Sequence, residues 1–185
     1  MLQSPSNTVI AACRDLSKTS SLRALAADAP GTLYVVELDV TDPESIRAAA
    51  DATRTLLENS EHGIDYLVNN AGIVRLPLPP SLRTSQLTCA HSHPPTQLIQ
   101  DTATEFDMDA SARVFRANAL GPVYVTQAFL PLIERGDKRT VVNISSTLGS
   151  ITSTNGAGQA SYAAAKSALN MFVRPRLRCP TQEHD

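Results

Sequence analysis

The sequence is short of cysteine, of net charge and of long apolar runs, and each shortage excludes something. Cys13, Cys89 and Cys179 are odd in number and widely spaced, which argues against a disulfide framework and for reduced thiols in the cytoplasm. Sixteen Lys and Arg against eighteen Asp and Glu leave a net charge of −2, so there is no basic excess of the kind that binds nucleic acid. No apolar run reaches the length of a membrane span and no signal-peptide pattern stands out, so nothing directs the chain to a membrane or to secretion. No internal repeat appears. What remains, 185 residues at 42% hydrophobic content, fits a soluble α/β domain.

Strands at 8 to 13, 33 to 38, 65 to 70 and 139 to 145 alternate with helices at about 16 to 28, 43 to 59, 107 to 134 and 161 to 173. That alternation predicts an α/β fold with a doubly wound parallel sheet. Leu33-Tyr-Val-Val-Glu-Leu38 is the near-continuous apolar run that parallel strands buried on both faces carry. Ile46, Ala49, Ala50, Thr53 and Leu57 give the helix at 43 to 59 a core face. Cys89-x-His91-x-His93 sits in a proline-rich stretch without a fourth ligand at zinc-site spacing, and no metal site is expected.

Chemistry concentrates near the end of the chain. Tyr162 and Lys166 are four apart in Ser161-Tyr-Ala-Ala-Ala-Lys-Ser-Ala-Leu-Asn170, a stretch of strong helix formers, so both project from one helical face. A free tyrosine has a pKa of about 10, and a neighbouring ammonium favours its phenolate. Such a pair exchanges a proton with an alcohol or carbonyl oxygen. Ser146 ends the run Thr140-Val-Val-Asn-Ile-Ser-Ser146, which reads as a buried parallel strand, and a hydroxyl there donates to an oxygen that gains charge. Taken alone, Tyr-x-x-x-Lys equally describes a surface helix pair.

The order of the motifs is more specific than any one of them. Leu38-Asp39-Val40, Asn69-Asn70-Ala71-Gly72, Asn118-Ala-Leu-Gly121, Asn143-Ile-Ser-Ser146 and Tyr162-x-x-x-Lys166 follow one another as in the short-chain dehydrogenase/reductase family, which the chain resembles from residue 8 to about 173. The resemblance implies a Rossmann-like sheet and a role for each residue. Tyr162 resembles the family's acid/base, Lys166 the cation that activates it and holds the nicotinamide ribose, and Ser146 the group that positions the carbonyl. Asn118 resembles the asparagine that anchors a proton-relay water. Asp39 matches the acid that contacts the adenine, and Asn70 the strand end that passes the adenosine ribose. Structural alternatives stand beside three of these: Asn118 as a pin between helix and strand, Asp39 as helix-start chemistry, and Asn70 as a tie between strands.

Cofactor choice is expected to turn on the end of Thr8-Val-Ile-Ala-Ala-Cys-Arg-Asp15, where family members that use NAD commonly carry an acid. Cys13 and Arg14 stand there instead. A guanidinium pairs with a 2′-phosphate, so NADP(H) is expected; the alternative is a surface pair between Arg14 and Asp15. The sixteen-residue step from Ser146 to Tyr162 carries Gly149-Ser-Ile-Thr-Ser-Thr-Asn-Gly-Ala-Gly-Gln159 and is similar to the C-factor and sniffer-like carbonyl reductase branch. A polar loop there would rim the substrate cleft, unless it is a tolerated surface insertion.

Set against the family, the chain reads as a single partial dinucleotide-binding domain over 1–185, with the sheet incomplete. The family's opening strand and glycine-rich turn, which receive the cofactor pyrophosphate, have no counterpart, because Met1-Leu-Gln-Ser-Pro-Ser-Asn7 resembles the end of the helix that follows them. The lost strand is central in the usual order, so the strands at 8 to 13 and 65 to 70 are expected to pair directly, or the domain to lose cooperativity. Pro175 falls where the tyrosine-bearing helix would continue, at about 3 kcal/mol for a helix interior, and the family's later strands lack counterparts. Residues 75 to about 97 form a proline-rich insertion too long for an ordinary connection. They read as a translated intron, with a proline-rich lid or partner-binding loop as the competing reading.

The expected function is NADPH-dependent interconversion of a ketone or aldehyde and an alcohol, with a small or polyketide-like substrate and a tailoring role in secondary metabolism by analogy. The expected partner is that small molecule, with a homo-oligomer forming through the helices at 107–134 and 161–173. The alternative is a catalytically silent remnant, or a regulatory or dimerisation module, that keeps the tetrad and holds no dinucleotide.

Overall fold

The computed structural model describes residues 1–58, 60, 62–74, 107–153 and 159–173. The insertion at 75–97 with Cys89, His91 and His93, the polar loop's residues 154–158, and the tail with Pro175 and Cys179 lie outside the described residues. Two units divide the chain: Met1–Asn69 with Val123–Asn143, and Asn70–Pro122 with Ile144–Asp185.

In the first unit, β1 (Thr8–Cys13) pairs in parallel with β2 (Thr32–Glu37), from Thr8 against Thr32 to Cys13 against Glu37. A helical crossover joins them, as parallel strands require. It begins at Asp15, whose carboxylate accepts from Ser17 N at 3.0 Å to start the 3₁₀ turn Leu16–Lys18, and continues through α1 (Ser20–Ala27). Next, α2 (Pro43–Leu56) starts at a cap the sequence prescribes: the Asp42 side chain accepts from Glu44 N at 3.0 Å, Pro43 opens the first turn, and Glu44 suits the positive helix end.

The second parallel pair joins β3 (Tyr66–Asn69) to β4 (Thr140–Asn143), with Asn69 opposite Asn143. Ile46, Ala49 and Ala50 of α2 pack with Val125, Phe129, Leu132 and Ile133 of α4 (Gly121–Ile133), and Leu67 and Val141 of the strands close on them. Each large apolar side chain buried there contributes about 1.5–3 kcal/mol. The end of α4 is tied to the approach to β3 by Ile64 N donating to Leu132 O (2.9 Å) and Gly63 N to Arg135 O (3.1 Å). The backbones come so close that a Cβ on Gly136 would run into Ile64 O.

Among the described residues β1 and β3 do not pair, which corrects the expected direct ladder. In the strand order of doubly wound sheets, 3-2-1-4-5, the two observed pairs correspond to 3-2 and 4-5, with no described strand at the position between them. Each pair keeps the neighbour its own crossover brings. The strands are also less covered than their apolar sequences predict: Tyr34, Tyr66 and Val68 are 37%, 56% and 41% exposed. The helix expected at 16 to 28 is interrupted at Thr19, and Leu57, expected in the core face of α2, is its half-buried C-cap.

In the second unit, Asp107 caps α3 (Met108–Phe115) by accepting from Ala110 N at 2.8 Å. The helix expected as one piece over 107–134 then widens into a π turn, Arg116–Leu120, before α4 begins. A 3₁₀ turn, Thr147–Gly149, and α5 (Ala160–Val173) complete the described elements. Val114, Ala119 and Ala165 are buried together, with Ile73, Phe115, Tyr162 and Ala168 packed around them.

Candidate active site

All four members of the predicted tetrad lie in the second unit. Tyr162 and Lys166 stand one turn apart on α5, with the Lys166 ammonium 5.8 Å from the centre of the Tyr162 ring. Tyr162 packs against the Val114, Ala119 and Ala165 cluster. At its root, Ser161 Oγ and Ser111 Oγ are 2.6 Å apart and buried, joining α5 to α3.

Lys166 is only 4% exposed, and its Nζ donates to Ile144 O at 2.6 Å. Burial pushes its pKa below the ordinary lysine value, because desolvation disfavours the charged form. A buried cation held by one carbonyl retains two further N–H donors for a ligand.

Asn118 sits inside the π turn and is fully buried. Its Nδ2 donates to Ile73 O (2.7 Å) and Val114 O (3.0 Å), while its Oδ1 has no hydrogen-bond partner among the described residues. A π turn is a feature frequent at functional sites, and here it carries the asparagine whose amide bonds Val114 O one turn back. A Cβ on Gly72 would run into this Oδ1 and stand 4.0 Å from Lys166 Nζ. The strand-end glycine is therefore the neighbour of both groups.

Ser146 is extended, φ −152° and ψ 153°, and its Oγ accepts from Leu148 N at 3.2 Å to cap the 3₁₀ turn. With a backbone N–H on its lone pair, the hydroxyl keeps its own proton to donate. A directed O–H, a phenol and a buried ammonium together can donate to an oxygen, pass it a proton and hold a neighbouring polyol.

Of the residues assigned to the cofactor's adenosine end, Arg14 and Asp39 lie in the first unit and Asn70 in the second. Arg14 follows β1 directly, and Asp39 stands two residues past β2. The Asp39 carboxylate accepts from the Thr41 hydroxyl (2.7 Å) and N–H (2.8 Å), and its backbone N–H donates to Ser45 Oγ at 2.8 Å. Its pKa is lowered by the Thr41 hydroxyl first and, more weakly, by the Arg14 guanidinium. Asn70 is exposed. The tie between strands belongs instead to its neighbour, for Asn69 Nδ2 donates to Asn143 Oδ1 (2.9 Å) and Thr126 Oγ1 (3.1 Å), joining β3, β4 and α4. Sequence reasoning missed Asn69, although asparagines ending both apolar strands, at 69 and at 143, were the available signal.

The short chain dehydrogenase family model matches residues 2–184. The chain is 34% identical to mouse retinol dehydrogenase 5 over 164 residues, covering 89% of this chain and 41% of that protein. It is 32% identical over 177 residues to the short chain dehydrogenase gsfK of Penicillium aethiopicum, covering 94% of this chain and 60% of the other. Among solved structures, the NADPH-bound carbonyl reductase from chicken fatty liver superposes with a TM-score of 0.71 at 31% identity, over 90% of this chain and 58% of that one. The chain belongs to the short chain dehydrogenase family and has its Rossmann-like α/β fold. It spans roughly half the length of such relatives.

Proposed function

We propose that the chain is a partial dinucleotide-binding domain carrying the reactive centre of a cytoplasmic carbonyl reductase that uses NADP(H). The observation that carries this reading is the buried Lys166 ammonium beside the Tyr162 ring, with the open Asn118 Oδ1 next to Gly72. The residues fit a nicotinamide dinucleotide: Lys166 has donors left for a ribose, and Arg14 and Asp39 follow the C-terminal ends of adjacent parallel strands, where doubly wound sheets bind ligands. When bound, NADPH supplies the hydride. Ser146 then donates its hydroxyl proton in a hydrogen bond to the substrate carbonyl oxygen, and Tyr162 gives that oxygen its proton as it becomes an alcohol. Lys166 holds the nicotinamide ribose, and Asn118 anchors the water that returns a proton to the centre. Arg14 takes the 2′-phosphate, Asp39 faces the adenine, and Asn70 lines the adenosine ribose. Likeness to an NADPH-bound reductase supports the choice of NADP over NAD.

Low charge around the motifs suits an uncharged ketone, and the branch resemblance supports a tailoring step in secondary metabolism. Thermal melts with NADPH and NADH, followed by turnover on a panel of ketones and aldehydes, test the reading. NADPH at about a hundred times its dissociation constant stabilises by about 2.7 kcal/mol, and Tyr162→Phe should keep that shift while losing turnover. A shift with NADH alone would overturn the NADP assignment.

The absence, among the described residues, of a strand between β1 and β3 favours a second reading, a silent or dimerising module that uses α3, α4 and α5. It predicts a dimer in solution with neither shift nor turnover.

A further inference from the structure

We infer that Asn170 is a positioning residue for Ser146, a role that rests on the reductase reading above. Asn170 lies one turn beyond Lys166 on α5, so the proton donor, the cation and this amide occupy successive turns of one helical stripe. The segment that carries Ser146 is fastened to that stripe on both sides. Upstream, Lys166 Nζ donates to Ile144 O at 2.6 Å, and Ser145 Oγ donates to Asn170 Oδ1 at 2.6 Å. Downstream, Gly149 O accepts from Ser167 Oγ at 2.9 Å and from Asn170 Nδ2 at 3.3 Å. Asn170 is the only residue among these that reaches both flanks, with its acceptor on one and its donor on the other.

Between the two anchors the backbone closes on itself. Gly149 N donates to Ser146 O at 3.0 Å, and Leu148 N donates to Ser146 Oγ at 3.2 Å. The hydroxyl thus has its orientation set by a short turn whose two ends are fixed to the helix bearing Tyr162. Gly149 shows how close that seating is: it is buried, and a Cβ there would come within 3.0 Å of the Lys166 backbone carbon and 3.1 Å of Asn170 Nδ2. The distance between the Ser146 hydroxyl and the Tyr162 phenol is therefore governed in part by Ser145, Ser167 and Asn170, which have no part in the proposed chemistry. Ser167 supports the downstream anchor alone, so loss of Asn170 weakens the clamp without abolishing it.

The test compares Asn170→Ala, Asn170→Gln, Ser145→Ala and the Ser145→Ala/Asn170→Ala double variant with the unaltered chain. Three readouts are taken: steady-state reduction of a carbonyl, the NADPH melting shift, and hydrogen exchange of the amides from 147 to 150. For Asn170→Ala, kcat is expected to fall about tenfold, short of the roughly hundredfold that a 1 Å misplacement causes. The NADPH shift should be unchanged, exchange at Leu148 and Gly149 should quicken, and the α5 amides from 163 to 169 should stay protected. Ser145→Ala should add little to Asn170→Ala, and Asn170→Gln, which keeps both amide functions, should recover part of kcat. Quickened exchange with an unaltered kcat would overturn the positioning role, and so would unaltered exchange. An unaltered chain that turns over no carbonyl would sink the reductase reading and the Ser146 role with it, and exchange alone would then decide whether Asn170 holds the turn.

Discussion

Replacing Gly72 with alanine adds a single methyl group, and its cost follows from what surrounds Asn118. The new Cβ would occupy space held by Asn118 Oδ1, with Lys166 Nζ 4.0 Å away. Asn118 is fully buried and cannot swing aside freely, because its Nδ2 serves both Ile73 O and Val114 O. Either the backbone near Gly72 shifts, at the 1–3 kcal/mol typical of overpacking, or the amide turns and gives up two hydrogen bonds at about 1 kcal/mol each. The two routes agree on a loss of about 2 kcal/mol. At about 2–4 °C per kcal/mol for a chain of this size, the melting point should fall by about 4–8 °C. The control is the same substitution in an Asn118→Ala background. There the obstacle is gone, and since Gly72 is not in the left-handed region, alanine should stabilise by about 0.4–1 kcal/mol through the unfolded chain. Differential scanning calorimetry of the four proteins in this cycle reads both numbers. A Gly72→Ala protein that melts with the unaltered chain, or that loses as much when Asn118 is already alanine, would refute the reasoning.

Three further outcomes follow from single groups. Thr53 is fully buried on α2 and its hydroxyl has no hydrogen-bond partner among the described residues, so Thr53→Val should raise stability by about 1 kcal/mol in urea unfolding; a loss would mean that the hydroxyl is satisfied. Burial depresses the Lys166 pKa, so the folded state carries a penalty below that pKa which fades as pH rises towards the ordinary 10.5. The melting point of Lys166→Met relative to the unaltered chain should accordingly be higher at pH 7 than at pH 10, and a difference independent of pH would contradict the assignment. The Ser17 hydroxyl, then Lys18, hold the exposed Asp15 carboxyl at about 2 against an ordinary 3.8. Its contribution to stability is complete above 3.8 and is lost as pH falls through about 2; a carboxyl titration by NMR that gives an ordinary value would rule this out.

The parts of the site that could be read from sequence are those fixed by local periodicity. Tyr162 and Lys166 meet because a helix places residues four apart on one face, and the helix formers around them leave no doubt about the helix. The surroundings of Asn118 were hidden for the opposite reason. Arg-Ala-Asn-Ala-Leu reads as ordinary α-helix, and the π turn it forms lies where Val114 and Ala119 pack with Ala165 some fifty residues on, a contact no local pattern records. The same limit applies to Lys166, whose carbonyl partner Ile144 is 22 residues away, and to the Asn69–Asn143 bridge, which exists only once β3 and β4 are in register.

The strands show the limit most directly. Parallel strands buried on both faces have continuous apolar sequences, and Leu33-Tyr-Val-Val fits that pattern; Tyr66-Leu-Val and Val141-Val142 do so as well. In the fold, one face of the β3–β4 pair is covered, by Leu67 and Val141 packing on α2 and α4. The other presents Tyr66, Val68 and Val142 at 56%, 41% and 37% exposure. A strand's sequence records how much cover its faces require, because each exposed apolar side chain forgoes about 25 cal/mol for every Å² left in water. It does not record which element supplies that cover. The doubly wound class was therefore legible from alternating apolar runs, whereas the division into two parallel pairs was not, since strand neighbours are set by contacts that no single strand encodes.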